Sequence, residues 1–198
     1  DRSRSRGAAL PSRGGAGAAD DRWTTSNSAY GAFWRAVALE PKVVERAPAP
    51  ESAARDREGN PSRQRLQKLL RRHAVRERNV AGDGNCQFRA LADQLYGSEE
   101  NHGAIRELVV ARLKEASDQY AGFVPGSFRD YVEAMARDGT WGDNVTLQAA
   151  ADALGLEIHV LTDFITDGYI QVKPRSVKSE KVLRVSFWAE VHYNSLET

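Results

Sequence analysis

The chain has 198 residues, of which 41% are hydrophobic, with one cysteine and a net charge of +1. This length provides for one domain plus flanking sequence, or at most two small domains. The balanced charge excludes a global drive toward nucleic acid or membrane, and the single cysteine excludes an intramolecular disulfide or a multi-cysteine metal site and fits a reducing compartment, weakly.

No run approaches the roughly 20 apolar residues that a membrane span needs. The start, "DRSRSRGAAL", lacks the apolar core of a signal peptide. The chain begins at Asp1 rather than Met, so a fragment is an open expectation and a lost targeting segment is not excluded.

Residues 1–22 are rich in Arg, Ser, Gly and Ala and offer nothing to bury against chain entropy, so disorder is expected. An aromatic-rich island, "AYGAFWRAVALE" (29–40), reads as a short helix that packs on the domain or stays mobile, with a docking motif as the alternative. Linker composition returns over 46–62. Together, 1–62 reads as a largely disordered N-terminal region and 63–198 as the folded domain. Residues 63–78 are expected to form a basic helix, with Leu66, Leu69 and Leu70 at helical spacing and seven Arg or Lys against Glu77. Such a helix can touch nucleic acid or acidic protein surfaces; a solvated helix with one apolar stripe on the domain is the plainer reading.

From Asn79 the pattern is globular. Phe88, Leu91, Ala92 and Leu95 recur at i, i+3, i+4 and i+7, which predicts a helix over 86–96 with Gly97 past its end. A second helix is expected over 102–118, with Ile105, Leu108, Val109, Leu113 and Ala116 inward. A third begins near Ser127, whose spacing to Asp130 resembles a capping box, and carries Val132 and Met135. A fourth spans 144–154, capped by Asp143 or Asn144 and stopped by Gly155. Strands are expected at 156–162, 168–173, 182–188 and 190–194, with a further strand just before Cys86. Helices first and strands later indicate an α+β arrangement, a small central β-sheet packed by helices.

Cys86 follows "GDGN" and opens a helix. Unpaired N–H groups and the positive dipole end favour an anion there, and thiolates so placed beside an imidazole have pKa values lowered to about 3.5–7.5. A sharp turn through Asp83, Gly84 and Asn85 would aim several backbone N–H groups into one hollow, fit to hold the oxyanion formed when a thiolate attacks a carbonyl. Losing one such donor typically costs about 2.7–4 kcal/mol of transition-state stabilisation. The competing reading is a small buried apolar residue after an ordinary turn.

A cysteine nucleophile needs a base, and His73, His102, His159 and His192 are the candidates. His192 has a partner at fixed geometry: Asn194 is two residues on in a strand, so both side chains leave one face. An amide oxygen there would fix the imidazole tautomer and aim the other nitrogen at the sulfur. The order Cys, His, Asn is also that of papain-like proteases. His159 reads as structural and His102 as exposed. Four scattered histidines and one cysteine have no metal-ligand spacing.

"DGNCQFRALADQLYG", "TWGDNVTLQAAADALGLEIHVL" and "VHYNSL", in this order, resemble the ovarian tumour (OTU) domain cysteine proteases, most of all the plant branch, over about residues 66–198. The resemblance implies the papain-like OTU cysteine protease fold and a deubiquitinase that cuts the isopeptide bond between ubiquitin's C-terminal glycine and a lysine amine through a thioester. It implies Cys86 as nucleophile, His192 as general base, Asn194 as the residue that orients it, and Asp83 as a further catalytic-site position that shapes the loop. Backbone N–H groups of Asp83, Gly84, Asn85 and Cys86 are the implied oxyanion hole, and Trp141, Gly142 and Asn144 match a segment assigned to substrate binding. No cofactor or metal is implied. The implied partner is ubiquitin or polyubiquitin chains, with no membrane or nucleic-acid partner, for a monomer in the cytoplasm or nucleus. Two alternatives stay open: a ubiquitin-binding adaptor with little turnover, and the same chemistry on another ubiquitin-like modifier.

Overall fold

The computed structural model describes residues 60–164 and 168–198. The expectations for 1–22, for the island at 29–40 and for the linker up to residue 59 lie outside the described residues.

Helix α1 spans Pro61–Arg72, where Asn60 Oδ1 accepts from Ser62 N–H at 2.9 Å and Pro61 occupies the first turn. Strand β1 is Arg76–Arg78. Helices α2 (Cys86–Tyr96), α3 (His102–Glu115), α4 (Ser117–Tyr120), α5 (Phe128–Met135) and α6 (Asn144–Leu154) follow. Strands β2 (Glu157–Thr162), β3 (Tyr169–Val172), β4 (Val182–Trp188) and β5 (His192–Glu197) complete the chain.

The strands form one sheet in the order β1-β5-β4-β2-β3. Only β2 and β4 pair parallel; the other neighbours are antiparallel. Alternation along the strands separates two apolar clusters. Ile158, Val160, Leu183, Val185 and Tyr193 meet helices α2, α3, α5 and α6 on one face. On the other face Leu161, Trp188 and Leu196 meet Leu66 and Leu70 of α1. Fully burying one such side chain stabilises by about 1.5–3 kcal/mol, so α1 is packed as part of the domain.

Three departures from the sequence expectation have local causes. The basic helix expected to reach Arg78 stops at Arg72, because Ala74 takes a positive φ of 53° and Arg76–Arg78 then pairs with β5, Glu77 opposite Leu196. The last strand starts at His192, not 190, because Val191 N–H closes a turn onto the Trp188 carbonyl and Glu190 has φ 60°. The 102–118 helix ends at Glu115, and Leu108 on it is exposed while Val110 is buried.

Helix α2 is held on the sheet by Gln94. Its Nε2 donates to Ser195 Oγ (2.8 Å) and the Leu196 carbonyl (2.7 Å), and its Oε1 accepts from Arg184 N–H (2.8 Å). These bonds fix the helix against β5 and β4, and thereby fix Cys86 at its start.

Candidate active site

The turn before Cys86 is built around two side chains and one glycine. Gly84 has φ +87°, and a Cβ there would lie 2.0 Å from the Gly139 carbonyl oxygen, so only glycine fits. Asn85 is buried, and its Oδ1 accepts from Arg106 Nη2 (2.6 Å) and Gly139 N–H (3.0 Å). Arg106 also donates to the carbonyls of Met135 (2.9 Å) and Thr140 (2.8 Å), with its guanidinium 4.0 Å over the Phe88 ring. Burial lowers the pKa of this guanidinium to about 10, which leaves it charged at neutral pH.

Asp83 accepts from Asn85 N–H (3.0 Å) and from Arg89 Nη2 (2.7 Å). Partial burial alone would raise its pKa, but hydrogen bonds from Arg89 and Asn85 outweigh that and hold the carboxyl well below the usual range. The same bond occupies the Asn85 N–H. Asn85 is therefore corrected from an oxyanion donor to a loop anchor, and Asp83, Gly84 and Cys86 are the remaining residues of the expected set. Arg89 and Arg106 were missed in the sequence. Arg106 adjoins Ile105 on the inward face of α3, and a charged residue in that position was the available signal.

Cys86 is buried, with 6% of its surface exposed. It packs in one apolar cluster with Tyr193 of β5. Tyr193 directly follows His192. Burial pushes the thiol pKa up, and the backbone N–H groups of Tyr193, Gln87 and Cys86 only partly oppose this. The expectation of a lowered resting pKa is not met, because desolvation at this helix terminus exceeds the donor contribution.

His192 Nε2 lies 3.2 Å from the Val80 carbonyl oxygen, and Gly82 packs alongside the ring. Asn194 Oδ1 accepts from Val80 N–H at 3.1 Å. The two side chains share one face of β5 as expected, yet the hydrogen-bonded path between them runs through Val80. Asn194 Nδ2 donates to Glu77 Oε1 at 3.4 Å. Glu77 also accepts from Ser186 Oγ (2.6 Å) and from both terminal nitrogens of Arg63 on α1.

In the second expected segment Trp141 and Gly142 are half-buried and Asn144 is buried. Gly142 leaves no room for a side chain, since a Cβ would lie 2.2 Å from Gln87 Oε1. Gln87 joins the starts of α2 and α6, donating to the Asp143 carbonyl (2.9 Å) and accepting from Thr146 Oγ1 (2.8 Å). Asp143, not Asn144, caps α6. The Asn144 Oδ1 has no hydrogen-bond partner among the described residues.

The other histidines lie elsewhere. His159 Nδ1 meets Tyr169 Oη at 2.7 Å and its Nε2 meets Glu157 at 3.1 Å, a structural cluster. His73 stacks on Tyr169. His102 is half-buried rather than exposed, and burial lowers its pKa. Among the described residues no group of three or more His, Cys, Asp or Glu is arranged to hold a metal ion.

Cys86 thus opens a helix that is tied to β5, the strand that His192 begins. The model of the OTU-like cysteine protease family matches residues 81–196. The chain belongs to this family. It is 48% identical over 156 residues to OVARIAN TUMOR DOMAIN-containing deubiquitinating enzyme 10 of Arabidopsis thaliana, covering 79% of this chain and 42% of that protein. Enzyme 9 of the same series and plant is 44% identical over 160 residues, covering 81% and 45%. The chain thus spans less than half the length of these two relatives. Among solved structures, the OTU domain of OTUD1 superposes with a TM-score of 0.58 at 23% identity, over 68% of this chain and 93% of that one. An ovarian tumour domain in complex with ubiquitin gives 0.50 at 20% identity, over 62% and 69%. At these identities the likeness concerns the fold. Among the described residues no helix is long and apolar enough to cross a membrane.

Proposed function

We propose that the chain is a deubiquitinating cysteine protease that hydrolyses isopeptide bonds at the C-terminus of ubiquitin. The observation that carries the reading is a buried cysteine that opens α2 and packs with Tyr193 of β5, one residue beyond a histidine whose Nε2 is tied to a carbonyl. A carbonyl only accepts, so Nε2 carries the proton and Nδ1 is the basic nitrogen of the neutral ring. Relatives named as deubiquitinating enzymes support the substrate class.

In this reading His192 Nδ1 takes the proton of Cys86 as the sulfur attacks the carbonyl of ubiquitin's last residue. The raised thiol pKa favours transfer on attack over an ion pair at rest. N–H groups of Asp83, Gly84 and Cys86 hold the oxyanion. The C–N bond breaks, and the imidazolium gives its proton to the leaving lysine amine. Water, losing a proton to His192, then attacks the thioester; the C–S bond breaks, and Cys86 recovers its proton. Asp83 and Asn194 position, and Trp141 walls the groove for the extended ubiquitin tail. Gly142 and Asn144 complete that segment of the binding surface. No cofactor takes part. The partner is ubiquitin or polyubiquitin, bound by a monomer in the cytoplasm or nucleus.

The test is mass spectrometry after incubation with a ubiquitin probe bearing a C-terminal thiol-reactive electrophile, with Cys86→Ala as control. An adduct at Cys86 is expected. A folded protein that leaves a validated probe unreacted would overturn the reading, in favour of a ubiquitin-binding adaptor or another modifier.

A further inference from the structure

The family match begins at residue 81, yet the polar chain that ends on His192 begins earlier, in α1 and β1. Arg63 on α1 is buried, with 8% of its surface exposed, and its Nη1 donates to Glu77 Oε1 at 2.9 Å, with Nη2 on Oε2. Glu77 on β1 faces α1, in register with Leu196, which packs on Leu66 and Leu70. Its Oε1 accepts from Ser186 Oγ of β4 and from Asn194 Nδ2 of β5. Asn194 Oδ1 then holds Val80 N–H, and the Val80 carbonyl accepts from His192 Nε2.

An Asn side chain has two faces to satisfy, and here each has one fixed partner. With Nδ2 on a carboxylate and Oδ1 on a backbone N–H, the amide has one orientation. Glu77 is itself clamped by a two-nitrogen contact, the geometry that fixes a carboxylate most firmly. Arg63 has a second constraint, lying 5.6 Å over the Trp188 ring, whose Nε1 donates to Ser62 Oγ at 3.1 Å. Every link is partly or fully buried, where an unpaired charge or amide is costly.

We propose that Glu77, clamped by Arg63 of α1, is a positioning residue for the active site, acting on His192 through Asn194 and the Val80 peptide. On this view α1 and β1 belong to the catalytic apparatus even though they precede the family match. Glu77 touches neither substrate nor the reacting atoms. Its effect falls on the aim of the imidazole, hence on kcat and not on substrate affinity. The proposal rests on the reading of Cys86 and His192 given under Proposed function.

The test is a double-mutant cycle between Glu77→Ala and Asn194→Ala, repeated with Glu77→Gln in place of Glu77→Ala, on the whole chain. Two rates are read: turnover of a fluorogenic ubiquitin C-terminal amide, and alkylation of Cys86 by iodoacetamide near neutral pH. The second is site-specific because Cys86 is the only cysteine, and it needs no ubiquitin. With Asn194 present, Glu77→Ala is expected to lower kcat by about 10- to 100-fold with KM unchanged, the size of effect that a small misplacement of a reacting group produces. With Asn194→Ala in place, the same substitution is expected to lower kcat no further, and alkylation is expected to follow the same pattern. Equal losses in both backgrounds, or a rise in KM alone, would overturn the proposal in favour of a purely structural ion pair. Circular dichroism selects the variant that decides: should Glu77→Ala unfold, the milder Glu77→Gln cycle is read by the same criteria. If the parent protein does not turn over the ubiquitin substrate, the functional reading fails, and the alkylation cycle still decides the positioning role.

Discussion

The Val80 carbonyl oxygen and His192 Nε2 are 3.2 Å apart, and the contact has one possible polarity. Asn194, expected to hold the imidazole directly, holds the N–H of Val80 instead, at 3.1 Å. One residue thus receives the amide on one side and the histidine on the other. The orienting effect of Asn194 is indirect, and its loss leaves the carbonyl contact in place but untethered.

Asn194→Ala is therefore expected to reduce turnover without abolishing it. An effect of about 10- to 100-fold matches a modest loss of alignment. Asn194→Asp is expected to behave differently from a simple isostere. It keeps an acceptor for Val80 N–H but turns a carboxylate toward Glu77 Oε1, now 3.4 Å from Nδ2, and two like charges at that distance raise one pKa. Its rate, relative to the parent, should improve as pH falls. Steady-state kinetics of both variants from pH 5.5 to 8.5 check this; an Asn194→Asp variant equal to the parent at all pH values would contradict the geometry.

Gly84→Ala tests the turn. The backbone has φ +87°, and the added methyl would meet the Gly139 carbonyl oxygen at 2.0 Å. Strain at such a residue costs about 1–3 kcal/mol, and relieving the clash must move either the turn or the 139–140 segment that Arg106 and Asn85 hold. A lowered melting temperature together with near-complete loss of probe labelling is expected. Gly97→Ala is the matched control: its φ is +73°, but no atom lies within 4 Å of the added Cβ. It should cost stability while preserving labelling.

The protonation of Cys86 makes a kinetic prediction. Burial raises its pKa above the ordinary thiol value, opposed only in part by the N–H groups of Tyr193 and Gln87. A resting thiolate–imidazolium pair would alkylate at a rate already on a plateau in mildly acid solution. A protonated, buried thiol instead gives a rate that climbs with pH through neutrality and beyond. The iodoacetamide rate of the free protein between pH 5 and 9.5 is expected to rise throughout. A plateau below pH 6 would show that the ion pair forms without substrate.

Much of this site was legible in the sequence because its parts are local. The helix Cys86–Tyr96 follows from apolar spacing alone, and its turn from Asp83, Gly84 and Asn85. The shared face of His192 and Asn194 follows from strand alternation. What escaped was set by distant partners. Ala74 ends α1 in a positive-φ conformation with no glycine to announce it, so β1 was hidden inside a run that reads as helix. Asn85 read as a turn residue, whereas its burial and its bonds to Arg106 and Gly139 are tertiary. Arg63 read as one charge among seven; its pairing with Glu77 depends on how α1 crosses β1. Composition also could not give the net effect on Cys86, where a helix terminus lowers and burial raises the pKa.

Acid stability provides the last prediction. Burial by itself raises the Glu77 pKa, but hydrogen bonds from Arg63, Ser186 and Asn194 and the charge of Arg63 leave it below its ordinary value. A carboxyl whose folded pKa is depressed binds fewer protons than the unfolded chain just below the unfolded value, roughly pH 4.3. Its contribution to stability is therefore complete above that pH and is lost as pH falls through the folded pKa. In Glu77→Gln this contribution is absent at every pH, and Arg63 loses its charged partner. The variant should melt well below the parent at pH 7, and the gap should narrow on acidification below about pH 4.5, where the parent begins to lose what the variant never had. Melting temperatures of both proteins at pH 7, 5, 4 and 3.5 check the sign. A gap that stays constant down to pH 3.5 would mean that Glu77 contributes through packing and not through its charge.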